Sequence, residues 1–221
     1  MTMFTEVLRA QWRGSRAATV ILALLGFGAM LTTVYWGGDL GSAGSARVAY
    51  WLAASERIAS LLPYLSLLVG VAAGFGAWAP DHAGRHVYAL SLPVSRPRFV
   101  ALRFGAGAVI TAVPAAAVLL GAIVAALSVS LPEGLHAYPV QLTTRFLLAS
   151  LTVYAIIFAL AIASRRAQLL VAGVIGGVIV ADILLAAWSV SFSVTAQTLF
   201  WLTTWPGPLS IFAGSWTLFD V

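Results

Sequence analysis

The sequence predicts an all-α protein, a single polytopic transmembrane helix bundle of five clear spans with an irregular segment at its C-terminal end. Of 221 residues, 61% are hydrophobic and 9% charged, against about 25% charged in an ordinary soluble domain. So few charges could not cover a water-soluble fold of this size. Apolar runs at 17–36, 58–79, 104–129, 146–163 and 167–190 come close to or exceed the ~20 helical residues that cross ~30 Å of hydrocarbon. Lipid-facing backbone must satisfy its own hydrogen bonds, so each run reads as a helix. The arginines supply the third observation. With the N-terminus inside, Arg9, Arg13, Arg16, Arg85, Arg96, Arg98, Arg103, Arg165 and Arg166 fall on the cytoplasmic side, and Arg47, Arg57 and Arg145 fall outside. That nine-to-three split fits the positive-inside rule.

Taken in order, residues 3–16 alternate at helical spacing, with Phe4, Val7, Leu8 and Trp12 on one face and Glu6, Arg9, Arg13 and Arg16 on much of the other. This pattern predicts an amphipathic helix lying flat in the headgroup region ahead of the first span. Arginines before an apolar run also open a cleaved signal peptide, but the run at 17–36 exceeds the ~7–15 residues of a signal core, so the span is expected to be retained. The glycine- and serine-rich stretch 37–56 reads as an external loop with Tyr50 and Trp51 at the interface. Gly70 and Gly74 in the second span and Gly173 and Gly177 in the fifth share the G-x-x-x-G spacing that lets helices approach closely. Pro114 is expected to kink the third span. Residues 131–139 form a short external loop, and a turn of Ser164, Arg165 and Arg166 makes the fourth and fifth spans antiparallel neighbours.

Two absences exclude functions. The chain has no cysteine, which removes disulfides, thiol nucleophiles and thiolate metal sites. It also has no lysine, and a phosphate-binding loop G-x-x-x-x-G-K-[ST] needs one. Any ATP-driven function therefore takes its motor from another polypeptide, and the chain is not expected to be an enzyme. A nucleic-acid partner is not expected either, because hydrophobic spans separate the basic residues.

The segment 80–103, PDHAGRHVYALSLPVSRPRFVALR, is the most informative. Asp81 can cap a helix after Pro80, Arg85 follows one turn later, and Pro93 stops the helix about three turns on. Val87, Tyr88 and Leu90 give this short cytoplasmic helix an apolar surface suited to a groove on a partner. The acidic Asp81, Gly84, the run Leu90-Ser91-Leu92-Pro93-Val94-Ser95-Arg96 and Arg98 resemble the first intracellular loop of ABC type-2 transporter permeases. The resemblance implies a membrane subunit of an exporter, paired with a second permease chain in a homodimer or heterodimer and with two ABC ATPase subunits that bind ATP and magnesium. It implies that 81–92 is a coupling helix seated on the ATPase, with Asp81, Gly84, Arg85, Val87, Tyr88, Leu90, Pro93 and Arg96 as its coupling residues.

The family normally has six spans, with broken helices outside before the last. Here residues 191–221 hold one apolar run, interrupted by Trp205-Pro206-Gly207-Pro208, and resemble that external region. The last span is expected to be missing from this sequence, the alternative being an irregular sixth span at 198–219. Asp182 is the one acidic residue well inside a predicted span, where a charge costs on the order of 3 kcal/mol. It reads as a hydrogen-bonding group between helices, as a carboxylate reached by water at the outer end, or as an ion- or substrate-binding group. The last role belongs to the competing reading, a stand-alone secondary transporter or channel. His82 and His86 have metal-compatible spacing, but without a third strong ligand nearby no metal site is expected. Arg145 reads as a headgroup anchor. An all-arginine basic set with abundant alanine suggests the inner membrane of a bacterium with a GC-rich genome. The residues do not name a substrate.

Overall fold

The computed structural model describes residues 3–35, 44–83, 95–129, 131, 134–188 and 192–220, with 44–48 and 79–83 described by backbone alone. Among these residues the chain is an all-α bundle of six helices: α1 (Met3–Tyr35), α2 (Gly44–Ala83), α3 (Arg96–Leu127), α4 (Pro139–Ile162), α5 (Arg165–Ala187) and α6 (Val194–Thr203). Two short strands, β1 (His136–Ala137) and β2 (Phe219–Asp220), pair antiparallel. Five of the helices are long and apolar enough to cross a membrane. The residues group into two compact units, Met1–Phe158 with Ser215–Val221, and Ala159–Gly214.

In the first unit, α1 to α4 run up and down. Gly76 of α2 faces Ser15 of α1 while Gly26 of α1 lies near Leu65 of α2, so the first two helices are antiparallel. Gly26 also meets Val118 and Gly121 meets Phe27 and Met30, so α1 and α3 are parallel. The N-terminus and the start of α3 therefore share one end of the unit, and Tyr35, Leu127 and Pro139 share the other.

The buried face of α1 is made of Gln11, Ser15, Thr19, Leu22, Gly26, Met30 and Thr33. These residues recur every three or four positions and are mostly small or polar. The outward face carries Val20, Ile21, Leu24 and Leu25, each about half exposed or more. In water this arrangement would be inverted, because apolar burial drives soluble folding. In lipid there is no such drive between helices, and small residues give close backbone approach. The hydroxyls of Ser15 and Thr19 donate back to the carbonyls of Gln11 and Ser15, each at 3.0 Å, and so carry no unmet donor into the interface.

The structure corrects four boundaries. Residues 3–16 form no separate flat helix, because α1 is continuous and about 50 Å long at 1.5 Å per residue. The lone Gly14 between Arg13 and Ser15 costs only about 1 kcal/mol, too little to break it. Residues 44–56 are helical instead of looped: after Gly44 and Ser45 no glycine or proline occurs until Pro63. Asp81 does not cap a new helix, because Pro80, Asp81 and His82 lie in the last turn of α2. Finally, α3 starts at Arg96 instead of at 104, with Pro97 in the first turn, where its missing N–H costs nothing, and it runs through Pro114 without a break.

Residues 215–220 close one end of the first unit. Tyr138 donates its N–H to the carbonyl of Leu218 at 2.9 Å, extending the β1–β2 ladder. The buried Ser55 hydroxyl of α2 accepts from the N–H groups of Leu218 at 3.0 Å and Phe219 at 3.4 Å. Trp216, Leu218 and Phe219 are buried. In the second unit, Ser164 caps α5 by accepting from the Ala167 N–H at 3.3 Å. α5 buries no residue. α6 is ten residues long, and the chain then reverses as Leu209 N–H donates to the Leu202 carbonyl at 2.8 Å. Among the described residues, no helix long enough to cross a membrane occupies 198–219.

Candidate functional site at the start of the third helix

The residues linking α2 to α3 are those the sequence singles out. Of the predicted coupling set, Gly84, Arg85, Val87, Tyr88, Leu90 and Pro93 lie outside the described residues, as does His86. Asp81 and His82 are described by backbone only, in the last turn of α2. Ser95 is extended, with φ −60° and ψ 137°, and forms the N-cap of α3 without a side-chain capping bond. Arg96 and Arg98 are exposed on the first turn.

Two turns further on, Arg103, one of the arginines expected on the cytoplasmic side, is buried, only 5% exposed. Its guanidinium lies 4.6 Å from the centroid of the Trp78 ring of α2 and 5.2 Å from that of Phe99. Stacking on aromatic faces suits a guanidinium, which is planar and weakly hydrated. A desolvated cation–π contact contributes about 2 kcal/mol, which offsets part of the cost of burial.

The backbone at this point is also held. Gln11 of α1 donates its Nε2 to the Arg103 carbonyl at 3.1 Å. Tyr154 of α4 donates its hydroxyl to the Phe104 carbonyl at 3.1 Å and lies 3.4 Å from that of Arg103. Gly107, one turn on, leaves the space the phenol occupies, since a Cβ there would meet the Tyr154 ring and hydroxyl. Around them Phe104 packs on Tyr154 at 5.1 Å and on Phe158 at 5.3 Å between centroids, and Trp78 packs on Phe158 at 5.4 Å. Residues from α1, α2 and α4 thus converge on one turn of α3, eight residues beyond Ser95.

Sequence reading missed Gln11, Trp78 and Tyr154. One signal was present: Gln11 falls at the helical position that continues the apolar face of Phe4, Val7 and Leu8. A glutamine on such a face needs a specific partner.

Asp182 has a structural environment in the second unit. Its Oδ1 accepts from the Val194 N–H at 2.6 Å, and its Oδ2 accepts from the Thr195 N–H at 3.0 Å and the Ser193 hydroxyl at 3.1 Å. Ser193 in turn accepts from the Ala196 N–H at 3.1 Å. The carboxylate therefore caps α6 from α5, at the helix end where the dipole favours negative charge.

Comparison of the chain with family models, curated proteins and solved structures gives no match.

Proposed function

We propose that this chain is the membrane permease subunit of an ATP-driven exporter of the ABC type-2 class, working with a second permease chain and separate ATPase subunits that bind ATP and magnesium. The observation that carries the reading is the segment 80–103, with its LSLPVSR run. It leads through Ser95 directly into the turn of α3 gripped by Gln11, Trp78 and Tyr154. A push on this segment would move a point fastened to three other helices, which suits a coupling element. The missing lysine supports a borrowed motor. The arginines at the N-terminal end of the first unit support a cytoplasmic location for that end, in the inner membrane of a bacterium. The three donors on Asp182 support a capping role for its carboxylate.

Pulling down the tagged chain in mild detergent should recover a soluble ABC ATPase. Tyr88→Asp or Leu90→Asp should leave that ATPase hydrolysing ATP without transport. Full coupling in both variants would overturn the assignment of the coupling helix. Transport by the purified chain alone under an ion gradient would favour the stand-alone transporter instead.

A further inference from the structure

At the end of the first unit opposite to the α2–α3 link, a polar cavity of about 500 Å³ lies between the first turns of α4 and the C-terminal segment. This size lies within the ~300–1,000 Å³ range of small-ligand sites. Gln141 and Arg145, one turn apart on α4, form one wall, and Ser215, Thr217 and Asp220 form the other. The arginine is fixed in place. It donates from Nη1 to the Ser215 carbonyl, and its guanidinium lies 5.7 Å from the centroid of the buried Trp216 ring. The backbone of Asp220 is held by the strand pair, opposite His136, and its side chain is exposed. The Ser215 and Thr217 hydroxyls, 2.6 Å apart, complete the turn between them. A cation and an anion on two walls of one cavity match a ligand that carries both signs of charge.

The surroundings narrow the ligand further. Arg145 lies in the second turn of a 24-residue helix that is long and apolar enough to cross a membrane, near the end where a polar headgroup would be met. One turn deeper on the same stripe, Leu148 is half exposed. A polar cavity beside the exposed Leu148 suits an amphiphile lying along the helix.

We propose that this cavity binds the headgroup of a zwitterionic phospholipid, with the phosphate toward Arg145 and the ammonium toward Asp220. The site is independent of the export reading. The purified chain in nonionic detergent would be titrated with short-chain phosphatidylethanolamine, short-chain phosphatidylglycerol and free phosphoethanolamine, with binding read by native mass spectrometry and by the melting temperature. Phosphatidylethanolamine should bind roughly tenfold tighter than phosphatidylglycerol, the worth of one charged hydrogen bond. Arg145→Gln should weaken both lipids, and Asp220→Asn should abolish the preference between them. If Arg145→Gln fails to fold because Ser215 loses its donor, Asp220→Asn alone decides the matter. Equal binding of the two lipids, or a preference that survives Asp220→Asn, overturns the proposal. Free phosphoethanolamine binding as tightly as the lipid overturns the lipid as the source.

Discussion

Two identical sequence motifs should respond to the same substitution with opposite signs. Gly70 and Gly74 of α2 face α4 at contact distance: a Cβ on Gly70 would stand 2.6 Å from the Ser150 carbonyl oxygen, 2.6 Å from Val153 Cβ and 2.9 Å from the Tyr154 nitrogen. A Cβ on Gly74 would stand 2.7 Å from Ile157 Cβ. Real Cβ atoms do not approach so closely, and the Gly70 obstacles include backbone, which yields only if the helices separate. Overpacking of this kind costs about 1–3 kcal/mol. Gly173 and Gly177 of α5 have the same spacing, yet among the described residues nothing lies within 4 Å of a Cβ at either. There alanine relieves the glycine entropy cost and gains up to about 1 kcal/mol. At about 2–4 °C per kcal/mol for a chain of this length, Gly70→Ala should lower the melting temperature in detergent by several degrees. Gly173→Ala should hold or raise it. A Gly70→Ala protein that melts at or above Gly173→Ala would refute the α2–α4 contact as described.

Arg103→Met and Trp78→Leu, made singly and together, should show a coupling energy of about 0.5–2 kcal/mol in detergent unfolding; additive effects would mean the ring does not hold the guanidinium. Asp182→Asn should speed amide exchange at Val194 and Thr195, whose N–H groups donate to the carboxylate; unchanged exchange would refute the cap, and, under the proposed permease function, export should persist in the variant. Under the proposed permease function, Tyr88→Asp and Leu90→Asp should separate ATP hydrolysis from transport, measured on the chain reconstituted with the ATPase it recovers. Asp220→Asn should level the binding of zwitterionic and anionic lipids in native mass spectrometry.

The five apolar runs were legible because membrane thickness imposes a length that composition alone reveals. Their ends were less legible. Asp81 after Pro80 carries the local chemistry of a helix cap, but α2 continues to Ala83, since Pro80 in the last turn does not end a helix already formed. Residues 44–56 read as a loop from their glycine and serine, which cluster only at the helix start. Arg103 illustrates a deeper limit. Counting charges assigns an arginine to a side of the membrane but not to water or to a ring face, and Trp78 lies 25 positions away in sequence. Asp182 was legible as an oddity, and hydrogen bonding between helices was among its sequence readings. Its donors sit beyond the end of the predicted span, where no periodicity points to them.

The reversed faces of α1 bear on any attempt to make this protein soluble. Engineers who polarise a membrane helix usually begin with its polar residues as a guide to what water already touches. Here that guide inverts, because Gln11, Ser15, Thr19 and Thr33 are buried contact residues while Leu24 and Leu25 face outward. A redesign that exchanges Val20, Ile21, Leu24 and Leu25 for glutamate, lysine or glutamine should leave the helix contacts untouched. One that fills Ser15 and Thr19 with leucine to strengthen an apparent core would wedge α1 away from its neighbours.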